Sequence, residues 1–222
     1  MTWSAESSRV CVLHTVASLP AVFGPLIARE APRTAAYHVV DESLLGDTVV
    51  HGLLPQTVRR LAAYATLAQD AGARAVLVTC PSMGRAVELA RPLAGIPLLR
   101  IDEPMAREAV AGGHHVGVLG TLHAALDPTA DLIRQVAAET GAAVDVTTSV
   151  CPGAHEAWVA GDHAGHDRLI AQEAVRMTHE VDVLVLAQAP MAEAVATVPT
   201  GGITVPVLTS PLSGVRQLAA LG

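Results

Sequence analysis

The chain has 222 residues, enough for one large or two small cores, and its composition of 51% hydrophobic and 16% charged residues is typical of a compact globular protein. A net charge of −7 without clustered arginines argues against a nucleic-acid partner. The sequence contains no lysine, which excludes both a pyridoxal phosphate Schiff base and a P-loop.

The three cysteines, Cys11, Cys80 and Cys151, are scattered without paired or metal-type spacing. We therefore expect free thiols, no metal site and no bound cofactor. No apolar run approaches the ~20 residues of a membrane span, and residues 1–6 lack the basic start of an export signal. These features predict a cytoplasmic protein that does not bind membranes.

Predicted strands and helices alternate along the first half of the chain, an order that implies right-handed βαβ units and a parallel sheet. Helices are predicted up to Glu30, over Pro55–Ala71 and over Gly84–Arg91, and the second of them has apolar residues at helical spacing. The strands of this half are predicted at 9–13, 37–40, 76–78 and 97–101.

The second half of the chain repeats the strand ends of the first half at a nearly constant spacing. Three matches at one spacing are hard to obtain by chance, so we interpret the halves as copies of one α/β unit. The other elements predicted in this half are a strand at 144–146 and helices at 128–140, 167–180 and 212–221. The three matches are Val12–Thr15 with Val118–Thr121, Arg74–Met83 with Asp182–Met191, and Ile96–Leu99 with Val205–Leu208.

The predicted fold is α/β, with two Rossmann-like halves related by a pseudo-twofold axis and a four-stranded parallel sheet in each. The first half covers residues 1–101, with a helix at 210–222 packing back on it, and the second covers 102–209. Because open α/β sheets bind ligands at the carboxyl ends of their strands, we expect the site at the interface of the halves. The residues expected to line it are Thr15, Cys80, Ser82, Thr121, Gln188 and Pro190.

The stretch Val76–Gly84 predicts a buried strand that ends in a small polar cluster headed by Cys80. A thiol at this point lies near the unpaired N–H groups of a helix start, which lower the pKa of a cysteine. Cys80 is therefore a candidate nucleophile or base. The alternative is a small buried side chain that serves only to pack.

Five motifs together cover nearly the whole chain: Asp41–Leu45, Val78–Gly84, Ile101–Ala106, Gly120–Leu122 and Leu186–Ala192. In these motifs the chain resembles the aspartate/glutamate racemase superfamily, a cofactor-independent group that includes hydantoin racemase, maleate isomerase and arylmalonate decarboxylase. The resemblance implies two Rossmann-like halves with the site at their interface, a small carboxylate or amino-acid-like substrate, and often a homodimer or larger assembly.

The chain departs from this family at two positions. Racemases of the family carry two cysteines that face each other across the substrate α-carbon, and Cys80 matches the first of them. Gln188 stands at the second position, where an amide cannot usefully donate or accept a proton at neutral pH. Pro81 stands where relatives commonly carry a small hydroxyl residue, so one donor for a substrate carboxylate is lost.

Several other positions have both a functional and a structural interpretation. His155 lies in a stretch that lines the site in similar sequences, and an imidazole could replace a lost acid; the alternative is a solvated histidine at a helix start. His14 follows the first strand and either contacts a ligand or only packs near the site. Cys151 and Met83 are expected to pack, and Asp102-Glu103 to cap a helix.

These observations lead to one functional hypothesis. It is a cofactor-independent, racemase-like isomerase in which Cys80, as the single acid/base, exchanges a proton at the α-carbon of a small carboxylate, with His155 as a second candidate. The alternatives are a ligand-binding or regulatory member of the fold without catalysis, and a one-cysteine decarboxylase. The expected substrate contacts are His14, Thr15, Pro81, Ser82, Met83, Thr121, Gln188 and Ala189.

Overall fold

The computed structural model describes residues 8–221. Residues 1–6, on which the expectation of no export signal rests, lie outside this range. The chain divides into two compact units, which we call unit 1 (Met1–Asp102 with Pro211–Gly222) and unit 2 (Glu103–Ser210). None of the helices between residues 8 and 221 is long and apolar enough to cross a membrane.

Unit 1 is built on a four-stranded parallel sheet with the strand order β2-β1-β3-β4. Its strands are β1 (Ser8–His14), β2 (Thr34–Val40), β3 (Ala75–Val78) and β4 (Leu98–Arg100). Its helices are α1 (Leu19–Glu30), α2 (Glu42–His51), α3 (Pro55–Asp70) and α4 (Gly84–Ala90), with 3-10 turns at Pro81–Met83 and Arg91–Leu93.

Helices cover both faces of this sheet, as the alternation of buried residues along β1 demonstrates. Cys11 and Leu13 pack into a core with residues of α3 and α4, whereas Val10 and Val12 pack into another core with residues of α1. Successive side chains of a strand point to opposite faces, so two cores on one strand require two covered faces. The near-continuous apolar sequence of β1 follows from this arrangement.

Unit 2 repeats the architecture, with a parallel sheet in the order β6-β5-β7-β8. The strands are β5 (His115–Gly120), β6 (Asp145–Val150), β7 (Val183–Leu186) and β8 (Val207–Thr209). The helices are α5 (Glu103–Gly112), α6 (His123–Thr140), α7 (Ala154–Val159), α8 (His163–Met177) and α9 (Met191–Ala196). The predicted α/β fold with two matching four-stranded parallel sheets is confirmed, since the strand orders correspond one to one.

The chain closes with α10 (Ser210–Arg216) and a 3-10 turn at Gln217–Leu221, where one longer helix was predicted. Val215 and Leu218 of this segment pack into the same core of unit 1 as Val10 and Val12. The buried apolar side chains therefore hold the C-terminal segment against the first sheet.

Other differences from the predicted elements concern helix ends and short helices. Helix α6 begins at His123 and contains Pro128, which the sequence suggested as its start. Helices α7 and α9 were not predicted as separate helices, because six residues each are too few for an apolar period to emerge. Helix α2 was also missed, since it buries only Leu44 and so has no apolar stripe.

Candidate functional site

The candidate catalytic side chain of unit 1, Cys80, lies at the carboxyl end of β3. Cys80 follows the strand by two residues and precedes the 3-10 turn Pro81–Met83, which leads directly into α4. The cysteine is half-buried, whereas Cys11 and Cys151 are buried. Strand, turn and helix therefore bring a half-buried cysteine to the carboxyl edge of the sheet, the edge at which open α/β sheets bind ligands.

The surroundings of Cys80 act on its thiol in opposite directions. Removal from water raises the pKa of Cys80, while the hydroxyls of Thr15 and Ser82 and the backbone N–H groups of Ser82 and Met83 lower it. The pKa remains raised, so burial outweighs the donors. The expectation of a lowered pKa at a helix start was therefore wrong, since it counted the N–H groups and neglected desolvation.

Thr15 occupies an unusual position at the end of β1. Its residue is only 2% exposed, and its Oγ1 has no hydrogen-bond partner, the only such case among the buried side-chain nitrogen and oxygen atoms of residues 8–221. The hydroxyl interacts with the Cys80 thiol. Thr15 was expected to hold a substrate carboxylate, and this contact stays a prediction.

His14, predicted as a possible ligand contact, is fully buried, and both of its ring nitrogens are engaged. Its Nδ1 lies 2.9 Å from Thr79 Oγ1 and its Nε2 lies 2.8 Å from His38 Nδ1. Since Thr79 Oγ1 donates to the Leu13 carbonyl, His14 Nδ1 must donate to Thr79 and Nε2 must accept from His38. The His14 ring is thus a structural element of the sheet edge.

Burial determines the protonation of this histidine pair. Loss of solvation, with a contribution from the neighbouring His38, lowers the pKa of His14 to about 4. Burial also lowers the pKa of His38. Both rings are therefore neutral at neutral pH, which is the state that the hydrogen-bond chain requires.

The turn after Cys80 contains both partly exposed and buried side chains. Pro81 and Ser82 are half-buried. Met83 is fully buried in the core that contains Leu13 and Val87. The packing role that the sequence offered as the alternative is therefore observed for Met83, and its contact with substrate stays a prediction.

A buried ion-pair network at the end of β4 was missed. Arg100 is 3% exposed and donates to both carboxylate oxygens of Asp102 at 3.0 and 2.8 Å, and to Glu88 of α4 at 2.5 Å. A Cβ at Gly84 would overlap the guanidinium, so any larger residue at this position requires the guanidinium to shift. The carboxylate of Asp102, expected to cap a helix, thus pairs with Arg100.

A second polar network, also missed by the sequence analysis, lies at the end of β2. Asp41 accepts hydrogen bonds from Arg60 Nη2, from Tyr64 Oη at 2.6 Å, and from the backbone N–H and hydroxyl of Ser43. Burial opposes ionisation, yet these hydrogen bonds and the Arg60 charge lower the pKa of Asp41. The carboxylate caps α2 and ties it to α3.

In unit 2, the carboxyl edge of the sheet is organised around Gln188, which follows β7. Gln188 Oε1 accepts from Thr121 N at 2.7 Å and from Thr121 Oγ1 at 2.9 Å. A backbone N–H can only donate, so the amide orientation is fixed with its oxygen towards Thr121 and its NH₂ group outward. Gln188 and Ala189 are half-buried, and Thr121 is 6% exposed.

This pairing changes the predicted role of Thr121. Its hydroxyl and its N–H were expected to help hold a substrate carboxylate, but both are already donated to Gln188. The donors that remain at this point of the edge are the two N–H bonds of the Gln188 amide. An amide held in this way can bind an oxygen acceptor, and it cannot transfer a proton at neutral pH.

The remaining candidates lie around β6 and α7. His155 is half-buried at the second position of α7. Cys151 is 1% exposed and packs with Leu119 and Ile170. Burial, together with the charge of Glu173, raises the pKa of Cys151 to about 12. Cys151 is therefore an inert core thiol, as the packing interpretation predicted.

Solved structures similar to this chain share its fold. A Yersinia pestis protein ascribed to the Asp/Glu racemases matches with a TM-score of 0.74 at 14% identity, over 96% of this chain and 98% of its own. Glutamate racemase isoform RacE1 from Bacillus anthracis matches with a TM-score of 0.70 at 16% identity, over 97% and 82%. Allantoin racemase from Klebsiella pneumoniae matches with 0.65 at 16%, over 97% and 87%.

Sequence comparison gives the family directly. A search of curated proteins finds no match. The family model described as Asp/Glu/Hydantoin racemase matches residues 28–218, a range that includes Cys80 and Gln188. This range covers most of the chain, with three of the four strands of the first sheet and all four of the second, so the chain belongs to the Asp/Glu/hydantoin racemase family.

Proposed function

We propose that this protein is a racemase-like isomerase that transfers a proton at the α-carbon of a small carboxylate, with Cys80 as the single acid/base. The observation that carries the proposal is the position of Cys80, a half-buried cysteine between the end of β3 and the 3-10 turn Pro81–Met83. The hydroxyls of Thr15 and Ser82 and the N–H groups of Ser82 and Met83 act to lower the pKa of its thiol. Each donor stabilises the thiolate, which is the form that accepts a proton. A cysteine that only packs needs no such donors.

The proposed reaction requires only one such group. The thiolate removes the α-hydrogen as a proton, and the electron pair of the C–H bond moves onto the carboxylate to give an enediolate. Cys80 is then a neutral thiol, and the Ser82 hydroxyl can stabilise the new negative charge. Return of a proton from the thiol to carbon completes the exchange.

The substrate class follows from the names of the similar structures together with this chemistry. The similar structures include a glutamate racemase and an allantoin racemase. We therefore propose an amino acid as the substrate, because its α-carbon carries the carboxylate that the proposed reaction needs. Gln188 supplies no second acid or base, so we propose proton exchange with retention at one enantiomer as the main reaction.

The test is hydrogen exchange at the α-carbon in heavy water. The purified protein is incubated with a panel of D- and L-amino acids, hydantoins and substituted malonates, and loss of the α-proton is followed by ¹H NMR. We expect exchange of one enantiomer, abolished in Cys80→Ala and retained in His155→Ala. Efficient racemisation by the wild type, or exchange that persists in Cys80→Ala, would contradict the single-cysteine proposal, and carbon dioxide release from a malonate would favour the decarboxylase.

The second candidate is a ligand-binding protein without catalysis. Two observations favour it: the pKa of Cys80 remains raised, so the thiol predominates at neutral pH, and Gln188 can bind but cannot transfer a proton. The same panel separates the two candidates. A compound that raises the melting temperature of the protein, without α-exchange in the presence of wild-type Cys80, would support binding alone.

A further inference from the structure

The two units carry equivalent residues at the ends of their central strands. Leu13 of β1 pairs with Val78 of β3, and Leu119 of β5 pairs with Leu186 of β7. Two residues beyond each pair stand Thr15 beside Cys80 in unit 1, and Thr121 beside Gln188 in unit 2. The fold therefore places a threonine next to the residue that follows the third strand of each sheet.

The two threonines differ in one respect. Thr121 donates its hydroxyl hydrogen to Gln188 Oε1 at 2.9 Å. Thr15 Oγ1 is just as buried but has no hydrogen-bond partner. A buried hydroxyl without a partner is destabilising, and native proteins keep few of them. The comparison identifies what is missing in unit 1, which is an acceptor at the position of the Cys80 sulfur.

A neutral thiol is a weak acceptor, whereas a thiolate is a strong one. We propose that Thr15 is a positioning residue. Its hydroxyl has no acceptor while Cys80 is a neutral thiol, and it donates a hydrogen bond to the sulfur when the Cys80 thiolate forms. The inference rests on the proposed function, because a thiolate at Cys80 is the catalytic base of that reaction. Thr15 would then promote formation of the base without touching the substrate.

The charged and titratable groups on the elements around Cys80 do not obscure this role. His14, beside it at the end of β1, is neutral above acidic pH because burial lowers its pKa to about 4. The guanidinium of Arg100 on β4 is neutralised by Asp102 and by Glu88 of α4. Near β2, Asp41 pairs with Arg60. A titration from neutral pH upward therefore follows the thiol itself.

The test is the titration of Cys80 in protein labelled with ¹³C at the cysteine Cβ, a measurement that needs neither substrate nor reagent. The Cys80 signal is assigned by its loss in Cys80→Ala. Thr15→Val, which removes the hydroxyl and keeps the shape, should raise the titration midpoint by about one pH unit, a tenfold fall in the acid dissociation constant. Thr15→Ser should restore it to near the wild-type value.

The stability of the same variants gives an independent result. Thr15→Val removes a hydroxyl without a partner, so the variant should melt at or above the wild-type temperature. The matched control is Thr129→Val in α6, where the wild-type hydroxyl is equally buried but donates to the Ala125 carbonyl at 2.8 Å. This control should leave the Cys80 titration unchanged and should melt lower, by about 2–4 °C.

An unchanged Cys80 midpoint in Thr15→Val would overturn the inference, as would an equal shift in Thr129→Val. A fall in the melting temperature of Thr15→Val without a shift of the midpoint would show that Thr15 has a packing role only. Failure of the proposed function has a different signature. The midpoint would still shift in Thr15→Val, but no compound of the panel would exchange its α-proton.

Discussion

The buried histidine at the end of β1 should make the protein sensitive to acid. In the folded state the pKa of His14 is lowered to about 4, from an ordinary value near 6.5. Between these two pH values the unfolded chain binds a proton at His14 and the folded chain does not. Folding stability is therefore fully present above the ordinary pKa and is lost as the pH falls towards 4.

The size of the effect follows from the shift. One pKa unit corresponds to about 1.4 kcal/mol, so the full shift is equivalent to about 3 kcal/mol, lost at a slope of about 1.4 kcal/mol per pH unit. No discount for solvent screening applies, because His14 is 0% exposed. This is a large part of the ~5–15 kcal/mol that typically holds a domain folded.

The assay is urea denaturation at a series of pH values from neutral to acidic, with wild type compared with His14→Asn. The asparagine can still donate to Thr79 but cannot titrate, and it leaves the His38 N–H without its partner. We expect a constant loss of about 1–3 kcal/mol at all pH values, together with a flatter slope in acid. Protonation of carboxylates in acid lowers the folding stability of both proteins, so this effect cancels in the difference between their stability curves.

The control for this experiment is His179→Asn, since His179 is exposed and its side chain makes no hydrogen bond within residues 8–221. Its stability curve should run parallel to that of the wild type. If the His14→Asn curve also runs parallel to the wild-type curve throughout the acid range, His14 is not neutral in the folded protein, and the assignment of its hydrogen-bond chain is wrong.

Three further predictions concern the networks at the two sheet edges. Gly84→Ala should displace the Arg100 guanidinium from Asp102 and Glu88 and destabilise the protein by roughly 3–5 kcal/mol in urea denaturation; an unchanged midpoint would contradict the close approach. Thr121→Val should destabilise by about 1 kcal/mol and shorten the lifetime of the backbone N–H proton of residue 121 in NMR exchange, because Gln188 Oε1, which accepts from it, loses the other of its two hydrogen bonds; Thr121→Ser should behave as wild type. Gln188→Cys should lower the melting temperature, since it deprives both Thr121 donors of their acceptor, yet it should raise racemisation, measured by chiral chromatography, of any substrate that the wild type exchanges. If racemisation does not increase in this variant, the absence of a second cysteine at position 188 is not what limits racemisation by Cys80.

Much of the fold was predictable because it depends on local pattern and repetition. The apolar run that ends at Cys80 predicts a buried strand and a turn. The similar run before Gln188 predicts the same two elements in the second half of the chain. Helix α3 followed from apolar residues at helical spacing, with Pro55 at its first turn and a positive φ of 77° at Gly72 beyond its end. Such signals lie within about 20 residues of sequence.

The polar contacts of the site were not predictable in the same way. The Arg100 network depends on a glycine at the start of α4 and on the approach of that helix to β4, neither of which leaves a periodic signal. The burial of His14 and Met83 depends on how tightly the neighbouring helices close over the sheet. The sequence therefore located the edge of the sheet correctly but assigned ligand contacts to side chains that the core encloses.

Thr15 and Thr121 were both predicted to hold a substrate carboxylate, and the strand register explains why their neighbours across the sheet could not be predicted. A hydroxyl residue after a strand is a common ligand contact, and nothing in the local sequence indicates that its neighbour across the sheet accepts its proton. The register places each threonine beside the residue that follows the third strand, so at this point the two units differ in the side chain that could accept the hydroxyl hydrogen.

Cys80→Gln tests this equivalence directly. The amide oxygen should accept from Thr15 as Gln188 does from Thr121, which should raise the melting temperature by about 2–4 °C and abolish α-proton exchange. A variant that melts lower than the wild type would show that the equivalence of the two sheet edges does not extend to their hydrogen bonds.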